Sequence, residues 1–343
     1  MRNLLVILLS LIHLGAHHEA AAKTRAGHLA RGFVRGMALG HHTDISTSDL
    51  ERSLRELREL GTSHVSLVVQ WSSRDVRSSK IAPRKGHTTS DRSLIRMILR
   101  TRAHGMKVLL FPIVDIQVRK PLEWRGVIKP SKWQNWWQNY RRFILHYAHI
   151  AARTNVAIFC VGSELVSTEK MRKRWASLIG AIRKVYHGKL IYSANWDHYA
   201  PVVFWDLLDY VGLTAYYTLA QKKDAMEDVM VQAWRGIRKK LLAWAHKKRR
   251  RLLFTEVGYP SLDGGAVHPW DYTQGTSYDP EEQRRAFRAF TRAWSNTPEL
   301  QGVIFWDWYG PGGKGDTRYT PRGKPAAAVI KHWFTKGDVA KRK

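Results

Sequence analysis

Residues 156–164 read Val-Ala-Ile-Phe-Cys-Val-Gly-Ser-Glu. Apolarity that runs unbroken from Val156 to Gly162, with no polar alternation, is the pattern of a strand buried on both faces. A glutamate directly behind such a run belongs where the strand leaves the core, because ionised carboxylates are rarely buried without partners. Runs of the same kind recur at 33–39, 64–70, 107–114, 190–194, 210–215, 251–255 and 302–306.

The segments between these runs carry helix signals. Ser48 with Glu51 reads as a capping box ahead of Leu50, Leu54 and Leu57, which share one face. Trp133, Trp136, Trp137, Tyr140, Phe143, Ile144 and Tyr147 repeat at three and four, a stripe that faces a core. Asp279-Pro280 followed by Glu282 supplies a cap, a first-turn proline and a capping acid. The stretch from Asp197 to Asp209 is short and its helix is poorly defined. Eight strand–helix units predict an α/β fold, a single (β/α)8 TIM barrel, with long loops at 71–89 and 261–278.

A chain of 343 residues accommodates one such barrel of about 250 residues with its loops. The charged start Met1-Arg2-Asn3, the apolar run from Leu4 to Leu9 and the small residues Ala20-Ala21-Ala22 read as a signal peptide over 1–22. The catalytic domain is then 23–336, with a basic tail at 337–343. An exported protein is expected, periplasmic, cell-surface or extracellular, with no membrane span in the mature chain. Cys160, the single cysteine, excludes an intrachain disulfide and reads as a small core residue. The net charge is +29. Its clusters, Arg141-Arg142, Arg172-Lys173-Arg174 and Lys247 to Arg251, fall on helices of the outer ring, where they read as solvated faces. Association with an anionic cell surface is the functional alternative. No motif supports specific nucleic-acid binding.

Active sites of such barrels sit at the C-terminal ends of the strands. There the sequence places His42 and Asp44, Gln70 and Trp71, Asp115 and Gln117, Ser163 and Glu164, Asn195 and Trp196, Tyr216, Glu256, and Trp306 with Trp308. Glu164 and Glu256 each follow an apolar run, on the fourth and seventh strands. Two carboxyl groups across one cleft are what glycoside hydrolysis requires, one as acid and one as base or nucleophile. Trp71, Trp196, Trp306 and Trp308 offer faces on which sugar rings stack, while His42, Asp115, Gln117, Ser163, Asn195 and Tyr216 offer hydrogen bonds. Tyr216 is placed to donate to Glu256 and hold it ionised. A metal site built from the histidine pair at 41–42 with Asp44 and Asp115 is the weaker reading, since adjacent strand residues point to opposite faces.

Val161-Gly162-Ser163-Glu164-Leu165, Phe254-Thr255-Glu256-Val257-Gly258-Tyr259 and Trp306-Asp307-Trp308 resemble the motifs of clan A glycoside hydrolases, most of all the β-mannanase-like barrels of family 113. The resemblance covers the chain from about Arg35 to Phe334. It implies retaining hydrolysis of a β-1,4-linked oligo- or polysaccharide, mannan or manno-oligosaccharides favoured, with Glu164 as acid/base, Glu256 as nucleophile, and no metal or organic cofactor. Ser163 departs from the clan, many members of which carry asparagine there against the sugar's 2-hydroxyl. A catalytically silent glycan-binding barrel and a surface-associated basic protein are the other readings.

Overall fold

A computed structural model describes residues 29–30, 32–40, 43–274 and 277–336. The signal peptide expected at 1–22, His42 and the basic tail at 337–343 lie outside the described residues.

Eight parallel strands close into a barrel in chain order: β1 (Val34–Leu39), β2 (His64–Ser73), β3 (Lys107–Ile116), β4 (Ile158–Ser163), β5 (Lys189–Ala194), β6 (Tyr210–Thr214), β7 (Leu252–Val257) and β8 (Leu300–Trp308). Among the described residues seven α-helices surround it: α1 (Thr47–Glu59), α2 (Asp91–Ala103), α3 (Trp133–Arg153), α4 (Arg172–Arg183), α5 (Glu227–Lys248), α6 (Pro280–Trp294) and α7 (Pro325–Lys336). Between β5 and β6 the described residues contain only a 3-10 turn, Trp205–Leu207, where the sequence offered no helical period. The fold is the single (β/α)8 barrel expected.

The alternation of side chains along each strand makes two apolar layers. Val34, Val68, Leu109, Phe111, Cys160, Ile191, Leu253 and Ile304 fill the barrel's interior. The opposite strand faces pack on the helices, with Trp136, Trp175, Trp234, Trp294 and Trp333 fully buried there. Cys160 is part of the inner layer; burial pushes its thiol up to about 12, so it is no nucleophile.

Two caps differ in detail from expectation. Helix α1 begins two residues early: Ser46 Oγ accepts from the Asp49 N–H at 3.1 Å, and Glu51 instead pairs with Arg100 and His104. The run Ser46-Thr47-Ser48-Asp49 offers two cap registers, and the earlier one sets Asp49 in the first turn against the helix dipole. At α6, Asp279 accepts from the N–H groups of Glu281 and Glu282 as expected. Glu282, however, turns inward and accepts from Gly264 and Ala266, fastening the loop after β7.

The basic clusters at 141–142, 172–174 and 247–251 fall on or just after α3, α4 and α5 and face solvent, apart from half-buried Arg250. Among the described residues no helix is long and apolar enough to cross a membrane.

Four irregularities occur where strands approach the C-terminal end of the barrel. Register shifts lie between Cys160 and Ser163 on β4, between Phe254 and Glu256 on β7 against β6, between Phe254 and Val257 on β7 against β8, and between Phe305 and Trp308 on β8 against β1. An extra residue on one strand interrupts the alternation and re-aims the side chains beyond it. The first two shifts stand beside Glu164 and Glu256.

Candidate active site

A cleft of about 630 Å³ opens at the C-terminal end of the barrel. Its lining includes Gln70, Asp115, Glu164, Asn195, Trp196, Tyr216, Glu256 and Trp306.

Glu164 is the first residue after β4 and adopts a left-handed backbone, φ +54°. This conformation is uncommon for a residue with a side chain and persists where neighbours over-determine it. Here the Glu164 N–H donates to the Ser193 carbonyl at 2.8 Å, and the next N–H, of Leu165, donates to the Tyr192 hydroxyl at 2.8 Å. Tyr192 in turn donates to Glu169 at 2.7 Å, and His198 Nδ1 lies 2.7 Å from the other oxygen of that buried carboxyl. The Glu164 side chain meets the Thr214 hydroxyl, which donates to Oε1 at 2.9 Å, and the Arg125 guanidinium, 3.3 Å from Oε2.

Glu256, on β7, lies at the floor of the cleft and accepts from the Tyr216 hydroxyl at 2.8 Å. Burial pushes its carboxyl up to about 8, and the charge of Glu164 adds to the rise; the Tyr216 hydrogen bond and Arg125 pull the other way without prevailing. Glu256 therefore holds its proton to higher pH than an ordinary glutamate.

Beyond Trp306 a second cavity of about 330 Å³ adjoins the cleft and holds Asp307, Asp316 and Arg318. Burial raises Asp307 to about 7, with Asp316 adding to the effect. Gly40 is required beside it, because a Cβ there would stand 2.1 Å from Asp307 Oδ2.

Five of the residues expected at the mouth stand elsewhere. Trp71 follows Gln70 on β2, and with Gln70 facing the cleft it points outward, packing on Phe143, His146 and Tyr147 of α3. Trp308 shares a strand face with Trp306 by simple alternation, but β8 sets an extra residue against β1 here. Its indole N–H instead donates to Glu56 of α1 at 2.9 Å, with Arg322 over the ring. Ser163 is buried beyond the β4 shift, outside the cleft lining, and its hydroxyl makes no hydrogen bond among the described residues. Gln117 lies past the end of β3 and is exposed outside the cleft. Asp44 accepts from the Ser90 N–H and hydroxyl, where it supports the start of α2. Among the described residues no cluster of His, Cys, Asp and Glu forms a metal site.

The lining also holds residues that the strand ends did not single out: Arg119, Trp124 and Arg125 from the loop after β3, Trp270 and Tyr272 from the loop after β7, and Tyr319. Trp270 is 47% exposed and stacks on Trp196 at 5.9 Å. The aromatic content of the loop at 261–278 was the available signal for two of them. Thr214 gave none, since a threonine closing an apolar run looks like core.

The profile of Glycoside Hydrolase Family 113 matches residues 37–316. The family 113 β-mannanase AaManA from Alicyclobacillus acidocaldarius, solved in complex with ManMIm, superposes with a TM-score of 0.80 at 30% identity, over 89% of this chain and 97% of that one. A second family 113 protein, a β-1,4-mannanase, superposes at 0.79 and 25% identity, over 88% of this chain and 98% of that one. A β-glucuronidase from Faecalibacterium prausnitzii shares the barrel alone, at 12% identity and a TM-score of 0.61, over 89% of this chain and 50% of its own. No curated protein matches the sequence at a significant level.

Proposed function

The chain belongs to glycoside hydrolase family 113 and is a glycoside hydrolase, and from that premise we propose that it cleaves β-1,4-linked mannan or manno-oligosaccharides by double displacement. Glu164 is the acid/base and Glu256 the nucleophile. The observation that carries this reading is the pair itself: two carboxyl groups in one cleft, electrostatically coupled, each held by a separate hydroxyl donor. The preference for mannan rests on the mannanase names of the two similar family members.

In the first step Glu164 gives its proton to the glycosidic oxygen while a Glu256 oxygen bonds to the anomeric carbon and the leaving sugar departs. In the second, Glu164 takes a proton from water as that water displaces Glu256, and both side chains return to their starting state. Tyr216 orients the attacking oxygen, Thr214 orients the acid, and Trp196 and Trp306 present faces to the sugars. This chemistry needs no metal or organic cofactor. Export to the periplasm, cell surface or exterior, directed by the leader at 1–22, matches a polymeric substrate.

The test is hydrolysis of manno-oligosaccharides followed by proton NMR of the freshly released anomer. The β-anomer is expected first, and Glu164→Gln and Glu256→Gln are each expected to lose about 10³-fold or more in turnover. First release of the α-anomer overturns double displacement. A Glu256→Gln enzyme that keeps most of its activity overturns the assignment of the nucleophile.

A further inference from the structure

Glu169 is a buried carboxyl group that neither step of the hydrolysis uses. Its side chain is fully enclosed. Trp175, Phe204 and Trp205 pack around the ring of its partner Tyr192. For stability alone an apolar side chain would serve in such surroundings, because replacing a buried polar set by apolar groups of the same shape is often neutral or stabilising. The polar set calls for another reason.

Its hydrogen bonds supply one. Glu169 closes the 3-10 turn Val166–Thr168 that follows the acid. One carboxyl oxygen accepts from the Tyr192 hydroxyl at 2.7 Å, and that hydroxyl accepts from the Leu165 N–H at 2.8 Å. A phenol has one proton to give, so the carboxyl, by taking it, turns the oxygen's lone pairs toward the Leu165 amide. The peptide held in this way joins Glu164 to Leu165, and Glu164 keeps a left-handed backbone, φ +54°, which neighbours must maintain. The second carboxyl oxygen is 2.7 Å from Nδ1 of half-buried His198, whose own N–H donates to the Asn195 carbonyl at 2.9 Å. Both oxygens are thus pinned, and Glu169 has no freedom to turn away from Tyr192.

Resting on the acid/base role given above to Glu164, we propose that Glu169 is a positioning residue for the reaction, which through Tyr192 and the Leu165 amide aims the Glu164 carboxyl at the glycosidic oxygen. Glu169 touches no sugar and gives no proton to the reaction. Its contribution is direction, and direction matters most where the leaving group needs a proton. A sugar alkoxide departs poorly unless it is protonated as the bond breaks, and a misplacement of about 1 Å costs such a step about 10²-fold. A 2,4-dinitrophenolate departs without that help.

Two substrates with the same mannobiosyl group separate aim from architecture: mannotetraose, whose leaving sugar needs the proton, and 2,4-dinitrophenyl β-mannobioside, whose phenolate does not. The readout is kcat/KM, which reports transition-state stabilisation relative to free enzyme and substrate. Glu164→Ala is the reference, expected to lose about 10³-fold on mannotetraose and far less on the aryl glycoside. Tyr192→Phe keeps the ring and removes the hydroxyl. It is expected to lose about tenfold or more on mannotetraose and to stay within about twofold of the wild type on the aryl glycoside. Glu169→Leu is expected to show the same split, and Tyr192→Phe decides alone where that variant does not fold. Glu169→Gln, which keeps an oxygen for Tyr192 and an amide for His198, is expected to recover most of the loss. Tyr192→Phe that loses nothing, or loses equally on both substrates, overturns the proposal and leaves the network a part of the fold. A Glu169→Gln enzyme no better on mannotetraose than Tyr192→Phe overturns it too. Should Glu164→Ala itself show no split, the acid role falls and the proposal with it; a split in Glu164→Ala alone overturns the proposal and leaves the acid role standing.

Discussion

Glu256 shows what burying a single carboxyl side chain costs the fold. Its ordinary value of 4.5 is raised to about 8, and Asp307 rises from 3.8 to about 7, in both cases chiefly by burial. The folded chain therefore binds protons that the unfolded chain has released across those intervals, and stability falls as pH rises through them. Glu256→Gln removes one such group without removing the acceptor for Tyr216. The variant is expected to melt several degrees above the wild type at pH 8 and above, the gap closing as pH falls toward 4.5; thermal melts across pH check this. A gap independent of pH shows that the carboxyl is not the source. Both glutamates were legible because each charge ends an apolar run. Thr214 and Tyr192, which hold Glu164 and its backbone, were not, since their roles come from contacts that only the closed barrel makes.

At the scale of elements, the strand order and the helix faces were legible because burial on both faces leaves continuous apolar runs and the helices keep their period. Which side chain of a strand end enters the cleft was less so. Period-two alternation decides it, and a choice of phase between neighbours such as Gln70 and Trp71 has no mark in composition. The extra residues on β4, β7 and β8 then undo the phase at these strand ends, which is why Trp308 and Ser163 stand outside the cleft lining. Two tryptophans make the consequence testable. Trp71, 7% exposed between β2 and α3, is expected on mutation to alanine to lose about 3–5 kcal/mol of stability with little change in KM. Trp270→Ala, at the rim, is expected to raise KM severalfold and leave stability within about 0.5 kcal/mol. Denaturant titration and steady-state kinetics separate the two, and a raised KM in a fully stable Trp71→Ala protein contradicts the outward placement.

For the whole molecule the barrel separates two tasks that composition alone mixes together. The cleft lies at the C-terminal mouth, whereas the clusters on α3, α4 and α5 lie on the outer ring and face solvent. Arg141, Lys173 and Arg174 line one groove between α3 and α4, and Lys173 and Arg174 are free of acidic partners among the described residues. Binding of an anionic surface there is electrostatic and is screened over about 8 Å at physiological salt. Hydrolysis of a neutral sugar at the mouth has no such dependence. We therefore predict that the protein is retained on a sulfated-polysaccharide column and released by salt, and that Lys173→Gln with Arg174→Gln lowers the salt needed. Turnover of neutral manno-oligosaccharides by the same double variant is expected to stay within about twofold of the wild type, since surface changes far from a site rarely disturb it. Retention that ignores both the salt and the two substitutions assigns the charge of α4 to solubility. A parallel loss of turnover contradicts the separation of the outer ring from the mouth.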